Sequence, residues 1–247
     1  MAKQEILDAI SRGRTDKVFD LLALPDWRAA LAEGQVKVLQ WFVYYNDTTA
    51  LKAVLAAGGD LSTIDLDEEL GHAAFFGHWK VCDFLIAKGA NPRSVVADTG
   101  ETPLHSALSK AGRPYYNYVV RLLVERGADV NARTVAGRES GAFMRDVRTR
   151  GETPLHRAAA FGDAEVIAYL IDHGADKAAR DANGDTPLSW ASWHLRPGAI
   201  LALLAHGPHK VSDKSAAIIT SDHGAGWGNG MERKIVGDYL PESQPKP

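Results

Sequence analysis

Cysteine is nearly absent: Cys82 stands alone among 247 residues, which excludes a disulfide framework within the chain and fits a reducing compartment. No apolar run approaches the roughly 18 residues of a membrane span. Met1–Ile10 mixes charged with apolar residues where a signal peptide would carry its apolar segment. Charge of neither sign prevails. The 28 basic and 31 acidic residues leave a net charge of −3, too small for a general attraction to nucleic acid or a membrane surface. These absences point to a cytoplasmic protein without membrane association. Its 45% apolar and 24% charged residues are those of an ordinary globular chain.

Catalytic signatures are missing as well. There is no Gly-x-Ser-x-Gly elbow to expose a nucleophilic serine. Cys82 has no Cys-x-x-Cys companion, and His206, His209 and His223, with Asp213 and Asp222, follow no known ligand spacing, so no metal is expected. Gly224-Ala-Gly-Trp-Gly-Asn-Gly230 alternates glycines, but it lacks the Gly-Lys-Ser/Thr of a phosphate loop and follows no strand of a βαβ unit. It reads as a connector. The chain is expected to be no enzyme and to need no cofactor.

What the chain does have is repetition. Thr102-Pro-Leu-His105 recurs as Thr153-Pro-Leu-His156, and Thr186-Pro-Leu-Ser189 keeps the first three residues. Two residues after each stands an alanine: Ala107, Ala158 and Ala191. Threonine is a good helix N-cap, and proline at the first helical position loses no hydrogen bond because its missing N–H would be unpaired there. The leucine then faces inward, and the alanine lets neighbouring helices approach. This Thr-Pro-Leu-His-x-Ala pattern resembles that of the ankyrin repeat, a turn followed by two helices in about 33 residues. The resemblance implies an all-α solenoid of stacked helix-turn-helix units with β-turn or hairpin loops. It implies protein–protein recognition through the concave helix face and the turn tips. It also implies that the histidines tie a helix start to the adjacent turn, which makes Thr102, His105, Thr153, His156 and Thr186 structural.

The motif serves as a ruler. Gly162 and Gly174 are twelve residues apart, as are Gly77 and Gly89, and Leu195 and Gly207. In this register there are six units: Gln4–Pro25, Lys37–Asp60, Glu68–Asn91, Thr102–Asp129, Thr153–Asp176 and Thr186–Gly207. Residues 1–34 are expected to be an N-terminal capping repeat and 35–207 the array. Residues 208–240 would form a C-terminal capping segment or degenerate repeat, because the helix Ala199–His206 is apolar nearly all round and needs cover. Residues 241–247 would be a disordered tail. Helices of about nine residues are too short to stand alone, so stacking must supply the stability.

Two departures from the register carry the functional expectations. Between Asp129 and Thr153 there are 14 residues more than between Asp176 and Thr186, an inserted loop, extended or hairpin, near 134–149 at the turn edge. With its flanks it carries Arg133, Arg138, Arg145, Arg148 and Arg150 against Glu139 and Asp146, and it adds Phe143 and Met144. Arg138, Arg145, Arg148 and Phe143 are candidate contacts for a partner with an acidic surface, since arginine suits carboxylate recognition. The alternative is a solvated, variable loop. The second departure lies at the two positions closing each first helix: Tyr44-Tyr45, Phe75-Phe76, Ser109-Lys110, Ala160-Phe161 and Trp193-His194. Tyr44, Tyr45, Phe75, Phe76, Lys110, Phe161, Trp193 and His194 are candidate contacts along an aromatic stripe; the alternative is packing against the next repeat. The expected function is that of a monomeric, non-catalytic adaptor, or an inhibitory or stabilising partner, binding a folded protein. Two other readings stay open: a secreted effector or toxin-neutralising protein, and a regulatory subunit touching nucleic acid through the arginine-rich loop, although nucleic acid is disfavoured by the narrow basic field.

Overall fold

The computed structural model describes residues 2–110, 115–140 and 148–206. Phe143, Arg145 and the expected C-terminal cap and tail lie outside them. The described residues form an all-α repeat solenoid. Its helices alternate between two layers. The first layer holds α1 (Lys3–Ser11), α4 (Val38–Tyr44), α6 (Leu66–Phe76), α8 (Pro103–Ala107), α10 (Pro154–Phe161) and α12 (Pro187–Trp193). The second holds α2 (Val18–Leu22), α5 (Thr48–Ala56), α7 (Trp79–Ala87), α9 (Tyr116–Glu125), α11 (Ala164–Asp172) and α13 (Gly198–Leu204). Helices of one layer pack on the next of the same layer, α1 on α4 on α6 on α8 on α10 on α12, and likewise from α2 to α13.

Burial follows the repeat. Leu70, Leu104 and Leu155 of the first layer are fully buried, as are Leu85, Leu123 and Leu170 of the second. Each such side chain contributes about 1.5–3 kcal/mol of burial. Ala107, Ala158 and Ala191 lie between the layers with at most 1% exposure. The residue ending each Gly-Ala-Asp-type triplet closes a small turn. Asp60, Asn91, Asp129 and Asp176 each accept, through the side-chain oxygen, the N–H two residues on, at 2.8–2.9 Å.

Three local features depart from a regular array. A one-turn helix α3 (Trp27–Ala30) fills the first connection; Trp27 is buried, and Arg28 reaches the Gly58 carbonyl at 3.2 Å. Helix α8 has only five residues. Its last turn tightens because the His105 carbonyl takes the Leu108 N–H at 3.2 Å and the Ser109 hydroxyl at 2.9 Å. The reversals between helices are left-handed at Asn46 (φ 58°), Gly77 (φ 76°) and Leu195 (φ 52°), but extended at Gly162. Glycine is needed at 162 for space, because a Cβ there would lie 2.7 Å from Val166 Cγ1 and 2.8 Å from the Ala158 carbonyl oxygen.

Candidate functional site

Thr102 and Thr153 start α8 and α10, and the histidine three residues on closes each cap. The Thr102 N–H donates to His105 Nδ1 at 3.3 Å, and the Thr153 N–H to His156 Nδ1 at 3.1 Å. Each ring therefore carries its proton on Nε2, which donates to the carbonyl just before the next repeat's threonine: Glu152 at 3.3 Å and Asp185 at 3.1 Å. At Thr186 a weaker version remains, its N–H meeting Ser189 Oγ at 3.3 Å. Burial lowers the pKa of both imidazoles. For His105, burial and the Arg157 guanidinium bring it down to about 3. Both rings are neutral, fully used hydrogen-bond bridges, and neither presents a free nitrogen for chemistry.

A charged cluster lies beneath them. Arg157, 1% exposed, donates to Glu152 Oε1 from Nε at 3.0 Å and from Nη2 at 2.7 Å. The same Nη2 lies 2.7 Å from Glu101 Oε1, and Nη1 reaches the His105 carbonyl and Ser109 Oγ, both at 3.2 Å. Burial alone would raise the Glu152 carboxyl. Arg157, together with hydrogen bonds from Thr134, the Arg150 N–H and Arg157 itself, outweighs it and holds the pKa near about 2. Sequence reasoning passed over this cluster, although the string Gly-Glu-Thr-Pro-Leu-His occurs twice, at 100–105 and 151–156, and supplies both glutamates.

The inserted segment leaves the repeat as an antiparallel stem. Glu139 pairs with Arg148, the Gly137 N–H donates to the Thr149 carbonyl at 2.7 Å, and the Thr149 N–H to that of Arg138 at 2.7 Å. Arg138 and Arg148 are exposed on it, while Thr134, Ser140 and Thr149 are buried at its base. A cleft of about 340 Å³ separates the stem from the next turn, lined by Gly137, Arg148, Thr149, Arg150, Ala182 and Asn183.

The aromatic positions gather into two groups. In the first, Tyr44 meets Phe76 edge-on at 5.1 Å, Phe76 meets Phe75 at 5.3 Å, and Trp41 stacks on Tyr45 at 6.0 Å. Tyr44 is 47% exposed and Tyr45 is at the border of exposure, whereas Phe75 and Phe76 are half-buried. Tyr45 also packs backward, its hydroxyl donating to the Ser11 carbonyl at 2.8 Å. Lys110 Nζ lies 4.4 Å from the Phe75 ring centre. In the second group, the half-buried Phe161 meets the exposed His194 at 4.9 Å, and Arg150 lies 5.9 Å from the ring of Trp193, which is 51% exposed. Trp41 and Arg150 were not among the sequence candidates. Trp41 stands one turn before Tyr44 on the same helix face, and that spacing was the available signal.

Among the described residues, no group of three or more His, Cys, Asp and Glu could hold a metal ion, and no helix is long and apolar enough to cross a membrane. Cys82 is fully buried, and burial pushes its thiol well above the usual range.

The family model for ankyrin repeats matches the chain in three copies, over residues 8–134 and 138–214. The two matched stretches part where the insertion begins. Over 186 residues the chain is 30% identical to a putative ankyrin repeat protein of Rickettsia felis, covering 70% of each. It is 36% identical to human Rabankyrin-5 over 110 residues, 44% of this chain and 9% of that protein. With human neurogenic locus notch homolog protein 2 it shares 30% identity over 202 residues, 72% of this chain and 8% of that one. The chain thus spans less than a tenth of the last two relatives.

Proposed function

This chain belongs to the ankyrin-repeat family, whose repeats mediate protein–protein interaction and are typically non-catalytic, and from that premise we propose that it is an adaptor, or an inhibitory or stabilising partner, for a folded protein. The observation that carries the reading is the pair of aromatic groups on the first helix layer, with Tyr44 47% and Trp193 51% exposed. Exposed rings already braced by neighbours, Tyr44 by Phe76 and Trp193 by the Arg150 guanidinium, offer contact area with little rotamer entropy left to lose on binding. Phe76 supports Tyr44 from a half-buried position, Phe161 packs on His194 beside Trp193, and Lys110 lies over the Phe75 ring. Arg138 and Arg148 add a basic contact at the turn edge, suited to an acidic patch on the partner. The binding face would run from the first aromatic group to the insertion, and the protein would dock as a monomer.

The test is to purify the partner with the native chain, then measure its affinity for Tyr44→Ser and Trp193→Ser variants. Each exposed ring is expected to contribute about 2 kcal/mol, roughly thirtyfold in Kd, with helicity unchanged. Deleting residues 134–149 should weaken binding and flatten its salt dependence. Unchanged affinity in both aromatic variants would overturn the concave-face reading. Unchanged affinity after the deletion would remove the hairpin from it.

A further inference from the structure

Among the described residues Arg157 is the largest fully buried side chain, and no other lysine or arginine among them is buried. A buried ion pair is weak evidence of stability, because desolvating the charges costs about as much as their attraction returns. Among the described residues the other repeats stack without a buried lysine or arginine ion pair. What distinguishes this cluster is where its carboxylates lead. Glu152 Oε2 accepts from the Thr134 hydroxyl at 2.5 Å and from the Arg150 N–H at 2.7 Å, and Glu101 Oε1 accepts from Ser140 Oγ at 2.8 Å. Thr134, Ser140 and Arg150 lie on the two arms of the inserted hairpin. Glu101 begins one repeat and Glu152 the next, so each carboxylate links a repeat to the insertion between them.

Backbone contacts reinforce the link. The Val135 N–H donates to the Thr99 carbonyl at 2.7 Å, and the Thr134 N–H to that of Glu152 at 3.1 Å. The arm leaving the repeat passes so close to Gly100 (φ 68°) that a Cβ there would lie 3.0 Å from the Arg133 carbonyl oxygen and from the Val135 nitrogen. The Thr149 hydroxyl bonds the carbonyls of Val135 and Arg138 across the stem.

We infer that Arg157 is a positioning residue: the Glu101–Arg157–Glu152 network fixes the base of the inserted hairpin to two consecutive repeats, so that Arg138 and Arg148 are presented on a rigid extension of the solenoid and not on a pliable loop. The purpose assigned to that rigidity rests on the proposed partner-binding role. The rigidity itself is a property of the free protein. It makes the hairpin a specificity element, because arginines held at fixed spacing reject acidic surfaces of the wrong geometry, where a mobile loop would adapt to them.

The test is amide hydrogen exchange on the whole chain without partner. Thr134→Val with Ser140→Ala removes the two side-chain ties from the hairpin to Glu152 and Glu101 and leaves the three charged residues in place. Exchange of the Gly137 and Thr149 amides should accelerate about tenfold or more, while the amides of α10 and α11 keep their protection. Arg157→Met combined with Glu101→Gln and Glu152→Gln removes the charges without stranding a carboxylate, and should loosen the same two amides. Stem amides that exchange at unstructured-peptide rates in the native chain would overturn the inference, as would rates unaffected by the Thr134/Ser140 pair. Partner affinity unchanged by hairpin deletion, with stem amides protected, would instead sink the docking role and leave the network's role standing.

Discussion

At His105 both ring nitrogens are committed, Nδ1 to the Thr102 N–H and Nε2 to the Glu152 carbonyl, so an added proton would have to break the cap. The folded pKa of about 3 lies below the ordinary 6.5, lowered first by burial and then by Arg157. Between those values the unfolded chain binds a proton that the folded chain refuses, so stability is full above pH 6.5 and falls as the pH drops. His156, His78 and His194 are lowered too, each chiefly by burial. His72, raised mainly by its hydrogen bond to Glu69, acts in the opposite sense: its contribution is present at low pH and fades as pH rises through its folded pKa. Four lowered histidines against one raised predict a urea midpoint that falls from pH 7 to pH 5. In His105→Gln, whose amide can still close the cap, part of that dependence should vanish; an identical slope would show that His105 does not titrate with unfolding. Arg157→Met alone leaves Glu101 and Glu152 buried without their cation and should cost about 3–5 kcal/mol in urea unfolding. A loss under 1 kcal/mol would mean that water or backbone donors replace the guanidinium.

Among elements, the reversal between α12 and α13 is held by a leucine where a glycine serves best. Leu195 has φ 52° and is 47% exposed, so its side chain gains little from burial while its backbone occupies a region costly to a Cβ-bearing residue. Leu195→Gly is predicted to stabilise by about 0.5–1 kcal/mol, a rise of roughly 1–4 °C in Tm for a chain of this size. A lower Tm would reveal packing by the leucine. The sequence register had placed this residue opposite Gly162 without distinguishing the two, and they behave differently: one reversal is left-handed, the other extended. Elements were legible where the rule is local. Thr-Pro marks a helix start whatever surrounds it, so α8, α10 and α12 could be placed to the residue. The length of α8 was not legible, because the His105 carbonyl takes, besides the local Ser109 hydroxyl, the Arg157 guanidinium, a tertiary contact from 52 positions away. The insertion was visible as excess length, consistent with an extended loop or a hairpin; the pairing of Glu139 with Arg148 was not, since spacing alone does not set the register of two arms.

For the molecule as a whole, the same distinction separates fold from site. A solenoid repeats one local solution, so a few motif residues determine the whole architecture, whereas the burial of Glu101, Glu152 and Arg157 is decided by which repeats happen to be neighbours. Stability is then a sum over units and the interfaces between them, and position along the array decides how far damage spreads. Leu155 is fully buried in α10, which packs on both α8 and α12. Leu201 is equally buried in α13, which among the described residues packs on α11 and α12. Truncating either to alanine removes about 2–5 kcal/mol of transfer and cavity energy. Leu155→Ala weakens units on both sides and should lower the midpoint of one shared unfolding transition. Leu201→Ala should leave the main transition nearly in place and open its own pair first. Hydrogen exchange separates these outcomes, rising for residues 187–204 alone in Leu201→Ala and on both sides of residue 155 in Leu155→Ala. Equal acceleration in α4–α7 by both variants would mean that the chain unfolds as one cooperative body, the buried charge network joining its halves more firmly than nearest-neighbour stacking allows.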